Sequence, residues 1–371
     1  MGKKRSLFIR VLFKIVFKVL FVFVLFLSLT LAFLTIIEYR PDDIEIIDIE
    51  NPVSSQVIIG EALTLMTFNI GYAGLGKNED FILDGGEKSR TESLEVVEGY
   101  MDGILNLLTE YTADFYLIQE VDLKARRSYN MNQVEVINDH LDNAFSSVFA
   151  YNFKAVFVPF PISLTEYIGP VESGLLTLSN KEITHAERQQ FPGSFAWPVR
   201  IVNLKRAMLI TYIPIEGTEK ELVIVNLHMS AYDGDGSLRA QEMAHLKTFM
   251  EIEYEKGNYV IIGGDFNQTF PSVVDNYPAE EDLYVAYPIE ETWLPSGFTF
   301  AIDETLPTCR LLHRPYNPTT PNDPNDPNTQ YYIIDGFIVS DNILIELVYT
   351  VEHGFEYSDH NPVMLTVRLL P

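Results

Sequence analysis

Tyr259-Val260-Ile261-Ile262-Gly263-Gly264-Asp265-Phe266-Asn267 is a short apolar run that closes on two glycines, then on an acid and an amide. Its length and β-branched content predict a buried strand. The glycines would let the backbone come close to a ligand, and a period of two sets Asp265 and Asn267 on one face. Working outward, the pattern of an apolar run with polar residues at its end recurs. Leu63 to Phe68 ends on Asn69, Phe115-Tyr116-Leu117-Ile118 on Gln119-Glu120, and Leu222 to Asn226 leads to His228. Asp335-Gly336 falls within Ile333 to Val339, and Ser358-Asp359-His360 precedes the run Val363 to Leu369.

Carboxylates, amides and two histidines in this order describe a divalent-metal site built to break a phosphate ester. The negative oxygens of such an ester repel nucleophiles, so catalysis needs a hard cation, an activated water and donors around the developing charge. Oxygen ligands select Mg²⁺ or Mn²⁺ over zinc. Glu120, expected at the carboxyl end of its strand, is the first candidate for metal ligand. Asp359 and Asn69 join it, Asn69 by orienting the bound carboxylate or donating to a phosphate oxygen. Asp265 and Asn267 would face the attacking water and the phosphate. His360 is the candidate base or proton relay, with Asp335 or Asp359 fixing its tautomer. His228 suits a hydrogen bond to a phosphate oxygen.

The order and context of these motifs resemble the endonuclease/exonuclease/phosphatase superfamily over the chain from Leu63 onward. The resemblance implies a four-layer α/β sandwich of two mixed β-sheets flanked by helices, and a metal-dependent phosphoesterase. It matches Asn69 to the family's first-strand asparagine, Glu120 to its Gln-Glu metal ligand and His228 to its Asn-x-His histidine. It matches Asp265 and Asn267 to the Gly-Asp-x-Asn pair, Asp335 to the Asp-Gly aspartate, and Asp359 and His360 to the terminal Ser-Asp-His. Arg206 loosely resembles a phosphate-facing arginine. For the family's tyrosine, Tyr151 and Tyr167 are both candidates.

Taken singly, each short motif would more often be a surface turn; six in order are another matter. His140, His185, His245, His313 and His353 fall outside any constellation. Glu110 and Glu242 sit on helical patterns and are expected in solvent, while Arg310 reads as part of an ordinary long loop rather than a border of the substrate.

Lys3, Lys4, Arg5, Arg10, Lys14 and Lys18 precede Val19 to Ile37, which carries no charge. That stretch is long enough to cross a hydrocarbon core of roughly 30 Å. The expected organisation is a basic cytoplasmic N-terminus (1–18), a transmembrane anchor (19–37), a linker (38–60) and the catalytic domain (61–371), extracytoplasmic by its flanking charge. A cleaved secretory signal is the alternative.

The chain holds 26 basic and 52 acidic residues; six of the basic ones and none of the acidic ones lie before Glu38, leaving 20 against 52. Duplex binding depends on dense Lys and Arg, so this balance argues against nucleic acid as partner. A small phosphate ester or lipid headgroup fits better. An extracellular nuclease and a non-catalytic surface binding module on the same fold are the competing readings. The single cysteine, Cys309, excludes an internal disulfide.

Helical spacing predicts helices over Glu92 to Leu108 and, after a serine cap, Ser237 to Tyr254. Asp42 to Glu50 alternates isoleucines with acids and either pairs as an edge strand or extends freely. Phe153 to Pro170 and Phe191 to Val199, with Phe157, Phe160, Tyr167, Phe195 and Trp197, read as structured aromatic loops that either fill the sandwich rim or meet lipid headgroups.

Overall fold

The computed structural model describes residues 2–163, 165–231, 233–234, 236–280 and 283–371, and for residues 2–7 the backbone alone, so the side chains of Lys3, Lys4 and Arg5 lie outside it. Its elements, in chain order, are α1 (Gly2–Ile36), β1 (Ile44–Ile46), β2 (Ala62–Asn69), α2 (Leu94–Glu110), β3 (Phe115–Ala125), α3 (Gln133–His140), β4 (Ser146–Val158) and β5 (Gly169–Ser179). There follow β6 (His185–Gln190), β7 (Ala207–Pro214), β8 (Glu221–His228), α4 (Ser237–Glu255), β9 (Tyr259–Asp265), β10 (Phe298–Ala301), β11 (Cys309–Arg310), β12 (Tyr331–Tyr332), β13 (Asp335–Ser340), β14 (Ile343–Thr350) and β15 (Val363–Leu369).

Seven strands form one sheet in the order β1-β6-β7-β8-β9-β13-β10, and six form another in the order β14-β15-β2-β3-β5-β4. Both are mixed, because β8 with β9 and β2 with β3 run parallel. Strand period sorts the side chains into layers. In β2, Leu63 and Leu65 enter the core between the sheets while Met66 and Phe68 pack under α2. In β8, Leu222 and Ile224 point inward while Val223 and Val225 pack under α4. The result is the expected four-layer sandwich, helix on sheet on sheet on helix. Each fully buried Leu or Ile contributes about 2 kcal/mol.

Both outer helices form where their apolar spacing places them. In α2, Val97, Met101, Ile104, Leu105 and Leu108 make one buried stripe. The start of α4 differs from the expected serine cap. The amides of Leu238 and Arg239 donate to Asp233 Oδ2 at 2.7 and 2.9 Å, so a carboxylate four residues upstream caps the helix and meets the positive end of its dipole.

Residues 38–60, expected as a linker, lie along the sandwich. Ile44–Ile46 adds an edge strand to β6, and Val57 is buried in the core between the sheets. β4 runs on to Val158, so Phe153 to Val158, read from sequence as loop, belongs to a strand. The N-terminal helix begins well before Val19; its apolar part, Phe8–Ile36, has no buried share and is long and apolar enough to cross a membrane.

Candidate active site

At one end of the sandwich the inward-facing positions turn from apolar to polar. In β2 they run Leu63, Leu65, Thr67, Asn69, and in β8 Leu222, Ile224, Asn226, His228. In β9 they run Ile261, Gly263, Asp265, and Asp335 pairs directly opposite Asp265 across the antiparallel β9–β13 ladder. The strands thus carry their polar ends into one place.

Glu120 reaches it differently. Phe115 and Leu117 face inward and Tyr116 and Ile118 outward, so a regular strand would turn Glu120 to the helix side. Instead the ladder with β5 slips between Ile118 and Val121, and Glu120 has φ +56°. This bulge re-aims the carboxylate, whose Oε1 lies 3.5 Å from Asn69 Nδ2 and 3.9 Å from His228 Nδ1. Because β3 continues to Ala125, Glu120 marks an interruption in the strand and not its carboxyl end.

The paired glycines also serve another purpose than the expected approach to a ligand. A Cβ on Gly264 would stand 2.0 Å from the Leu227 carbonyl oxygen, and one on Gly263 2.6 Å from the Phe337 ring. They allow β9 to pack against its neighbours. Asn267 lies beyond the strand at φ +50°; its amide donates to the Met229 carbonyl at 2.8 Å, and its backbone N–H donates to Asp265 Oδ1 at 2.8 Å.

His360 Nδ1 meets Asp335 Oδ2 at 2.8 Å, which selects Asp335 over Asp359 as its hydrogen-bond partner. Its Nε2 faces Asn69 Nδ2 at 3.4 Å, Asp265 Oδ2 at 3.8 Å and Asp359 Oδ2 at 3.9 Å. His228 Nε2 is 3.3 Å from Asp265 Oδ2, and Asn69 Nδ2 donates to that same oxygen at 3.1 Å. Asn69 Oδ1 is held by the Gly71 amide at 3.0 Å, so the side chain presents its nitrogen to the site. Asn69, Glu120, Arg206, His228, Asp265, Asn267, Asp359 and His360 all line one cavity of about 300 Å³, with Asp335 behind His360.

Burial would keep His360 neutral, but the Asp335 carboxylate overrides it and raises the imidazole well above its ordinary value. Burial, with Arg206 and His360 adding to it, holds His228 well below its ordinary value. Asp265 is pushed up to about 7 by burial and by Asp335. Asp359 also rises to about 7, by burial first, with His360 opposing and Glu120 adding. Asp335 Oδ1 is buried without a hydrogen-bond partner. Crowded carboxylates of raised pKa and an unpaired acceptor fit a bound cation, and oxygen donors suit a hard divalent one. Ligand atoms of Asp265, Asp335 and His360 lie within 4.8 Å of one another, as do those of Cys309, Asp359 and His360. Burial pushes the Cys309 thiol up to about 12, so it stays protonated beside His360.

Several residues carry more than their sequence context suggested. Asn226 bridges the sheets below the cavity: its Oδ1 accepts from Gln119 Nε2 at 2.8 Å, and its Nδ2 donates to the Ile118 and Leu176 carbonyls at 3.2 and 3.0 Å. The available signal was two amides, Gln119 and Asn226, at inward positions of otherwise apolar strands. Tyr72 lines the cavity under the Arg127 guanidinium, whereas Tyr151 bonds Glu172 and Tyr167 lies under Arg126, both away from it. Glu242 is buried instead of solvated, accepting from Ser230 N at 2.9 Å and Ser230 Oγ at 2.6 Å. Arg310 is buried at the cavity wall, donating to the Gly76 carbonyl at 2.9 Å and to those of Leu75 and Glu79 at 3.4 Å. His353 supports the segment that carries His360 from outside, with Nε2 3.0 Å from the His360 carbonyl.

A family model described as the Endonuclease/Exonuclease/phosphatase family matches residues 66–360. Among solved structures, the chain is similar to an endonuclease/exonuclease/phosphatase from Beutenbergia cavernae DSM 12333, with a TM-score of 0.57 and 14% identity over 83% of this chain and 72% of that one. It is similar to a family protein from Leptotrichia buccalis C-1013-b, with a TM-score of 0.52 and 14% identity over 83% of this chain and 100% of that one. A third, from Bacteroides vulgatus, has a TM-score of 0.51 and 16% identity over 83% and 99%. At these identities the likeness is one of fold. No curated protein matches the chain.

Proposed function

Because the chain belongs to the endonuclease/exonuclease/phosphatase family, we propose that it is a membrane-anchored, divalent-metal-dependent phosphoesterase, acting by in-line attack of water on a small or lipid-headgroup phosphate ester. The observation that carries this reading is the meeting of Asn69, Glu120, His228, Asp265, Asp359 and His360, drawn from nearly three hundred residues of chain, around one cavity.

Glu120 and Asp359 would hold Mg²⁺ or Mn²⁺, which when bound neutralises charge on the ester oxygens. Asn69, whose oxygen is already committed to Gly71, orients Glu120 and Asp265 through its nitrogen. Asp265 and Asn267 position the water. As the water oxygen bonds to phosphorus and the ester P–O bond breaks, the water's proton passes to His360 and from it to the departing oxygen, the imidazolium between the two transfers being stabilised by Asp335. Neutral His228 donates to a phosphate oxygen, and Arg206 adds positive charge at the cavity wall.

The charge balance of 20 basic against 52 acidic residues from Glu38 onward favours a small or headgroup substrate over nucleic acid. The neighbouring arginines are committed elsewhere, Arg127 to Asp122 at 2.9 Å and Arg310 to backbone carbonyls. We place the N-terminus in the cytoplasm and the catalytic domain outside, from the basic flank of α1. The test is a panel of nitrophenyl phosphates, sphingomyelin, inositol phosphates and plasmid DNA, each with Mg²⁺ and with chelator. Chelator-sensitive hydrolysis of the small or lipid esters is expected. Turnover that ignores chelator would overturn the metal assignment, and plasmid cleavage outpacing every other substrate would overturn the substrate class.

A further inference from the structure

Six apolar side chains stand exposed on the two segments that meet the C-terminal end of α1: Val156 and Phe157 at the end of β4, Phe160 and Ile162 in the loop after it, and Trp197 and Val199 between β6 and β7. Ile162 is 100% exposed and Trp197 53%. Three of them meet α1 directly. Trp197 Nε1 donates to Thr35 Oγ1 at 3.2 Å, and Val156 and Phe157 line a small cavity with Leu34 and Ile37.

We propose that this patch is a docking surface for the phospholipid bilayer that α1 enters, seating the catalytic domain on the leaflet at the Ile36 end. The proposal rests on the reading of α1 as a membrane anchor. Lys18, the last cation of the basic flank, and Thr35 are separated by roughly 26 Å along the helix axis, close to the roughly 30 Å thickness of a hydrocarbon core. Whatever touches Thr35 therefore sits at the boundary between acyl chains and headgroups, the level at which tryptophan is favoured. Just beyond it, the carboxylate of Glu38 gathers Lys205 at 3.0 Å, Arg40 at 3.1 Å and Arg200 at 3.5 Å. Three cations thus stand together at headgroup level, where lipid phosphates lie. Continuity with α1 and this local charge choose a lipid surface as the occupant.

The docked orientation also places an entry route. A second cavity, of about 350 Å³, opens between Glu38, Arg40, Phe195 and Arg200, and it shares Asn203, Leu204 and Arg206 with the catalytic cavity. A phosphate ester carried on a lipid in the same leaflet would approach the site without leaving the membrane.

The chain has two tryptophans, Trp197 and Trp293. The full-length Trp293→Phe protein, reconstituted in phosphatidylcholine/phosphatidylglycerol vesicles with brominated acyl chains, should lose most of its emission relative to ordinary lipid. Trp197→Phe, which leaves Trp293 as the reporter, should not, and its difference from wild type gives the same readout should Trp293→Phe fail to fold. Phe160→Asp with Ile162→Asp in the Trp293→Phe background should restore emission. Unquenched Trp197 in a protein that stays with the vesicles through an alkaline wash overturns the docking and leaves the anchor standing. Release by the wash overturns the anchor, and the docking with it.

Discussion

Replacing Asp335 by Asn separates the charge of this side chain from its shape. Asp335 is buried, with Oδ2 2.8 Å from His360 Nδ1. Its carboxylate overrides the effect of burial and raises His360 well above the ordinary imidazole value. An amide offers no charge, so the imidazolium loses a charge-assisted partner that contributes about 1.5–3 kcal/mol. General acid–base catalysis supplies about 10²–10⁴-fold in rate, so kcat should fall by two to four decades, or about 3–5 kcal/mol of barrier. Stability is subject to two opposing effects. Asp335 stands opposite Asp265, which burial and the Asp335 charge hold at about 7. Without that charge, Asp265 should fall from about 7 only in part, because burial, the larger cause, remains. A carboxyl whose folded pKa is raised costs stability as pH climbs from its unfolded value near 3.8 to about 7. The variant should lose part of that decline, which offsets part of the cost of breaking the buried ion pair, so its deficit against wild type in urea should shrink as pH rises from about 4 toward 7. Steady-state hydrolysis of bis(nitrophenyl) phosphate with Mg²⁺ and urea unfolding on the same samples supply both numbers. Near-normal kcat, or lost activity that merely tracks unfolding, would refute the reasoning.

Asn69→Leu removes the donor shared by Glu120 and Asp265, and should raise the Mg²⁺ concentration for half-maximal activity about 10–100-fold; unchanged metal dependence in a titration would contradict it. Asn226→Leu removes one of three acceptors of the Gln119 amide and the donor to the Ile118 and Leu176 carbonyls, and should cost about 2 kcal/mol in urea unfolding. Burial depresses His353 to about 4, against an ordinary value of 6.5. The unfolded chain then binds a proton that the folded chain refuses, so stability should fall as pH drops from 6.5 toward 4, by about 2 kcal/mol at pH 5. His353→Gln should flatten that part of the pH profile, as read from urea midpoints at pH 7 and pH 5.

The strands and outer helices were legible because burial on one face writes its own period. Leu63, Leu65, Thr67 and Asn69 in β2 and Leu222, Ile224, Asn226 and His228 in β8 show how the same period carries polar residues to the sandwich end. Where a local feature breaks the period, the reading failed. The bulge at Glu120 inverts the face that alternation assigns, and Gly264 answers to the Leu227 carbonyl of a neighbouring strand, not to a ligand. Glu242 looks like a solvated helix residue until Ser230, twelve positions away, is brought against it.

From the residues alone came the strand order of polar ends, the oxygen-rich donor set and an N-terminal segment apolar enough to cross a bilayer, since composition and period are local properties of the chain. The tertiary structure decided which acid holds His360, which nitrogen Asn69 shows to the cavity, and that Ile44–Ile46 pairs at the sheet edge. It also decided that Trp197 meets Thr35 and that the end of β4 lies beside Leu34 and Ile37. Those outcomes depend on distances between segments far apart in sequence, which only the packing of two sheets against each other determines.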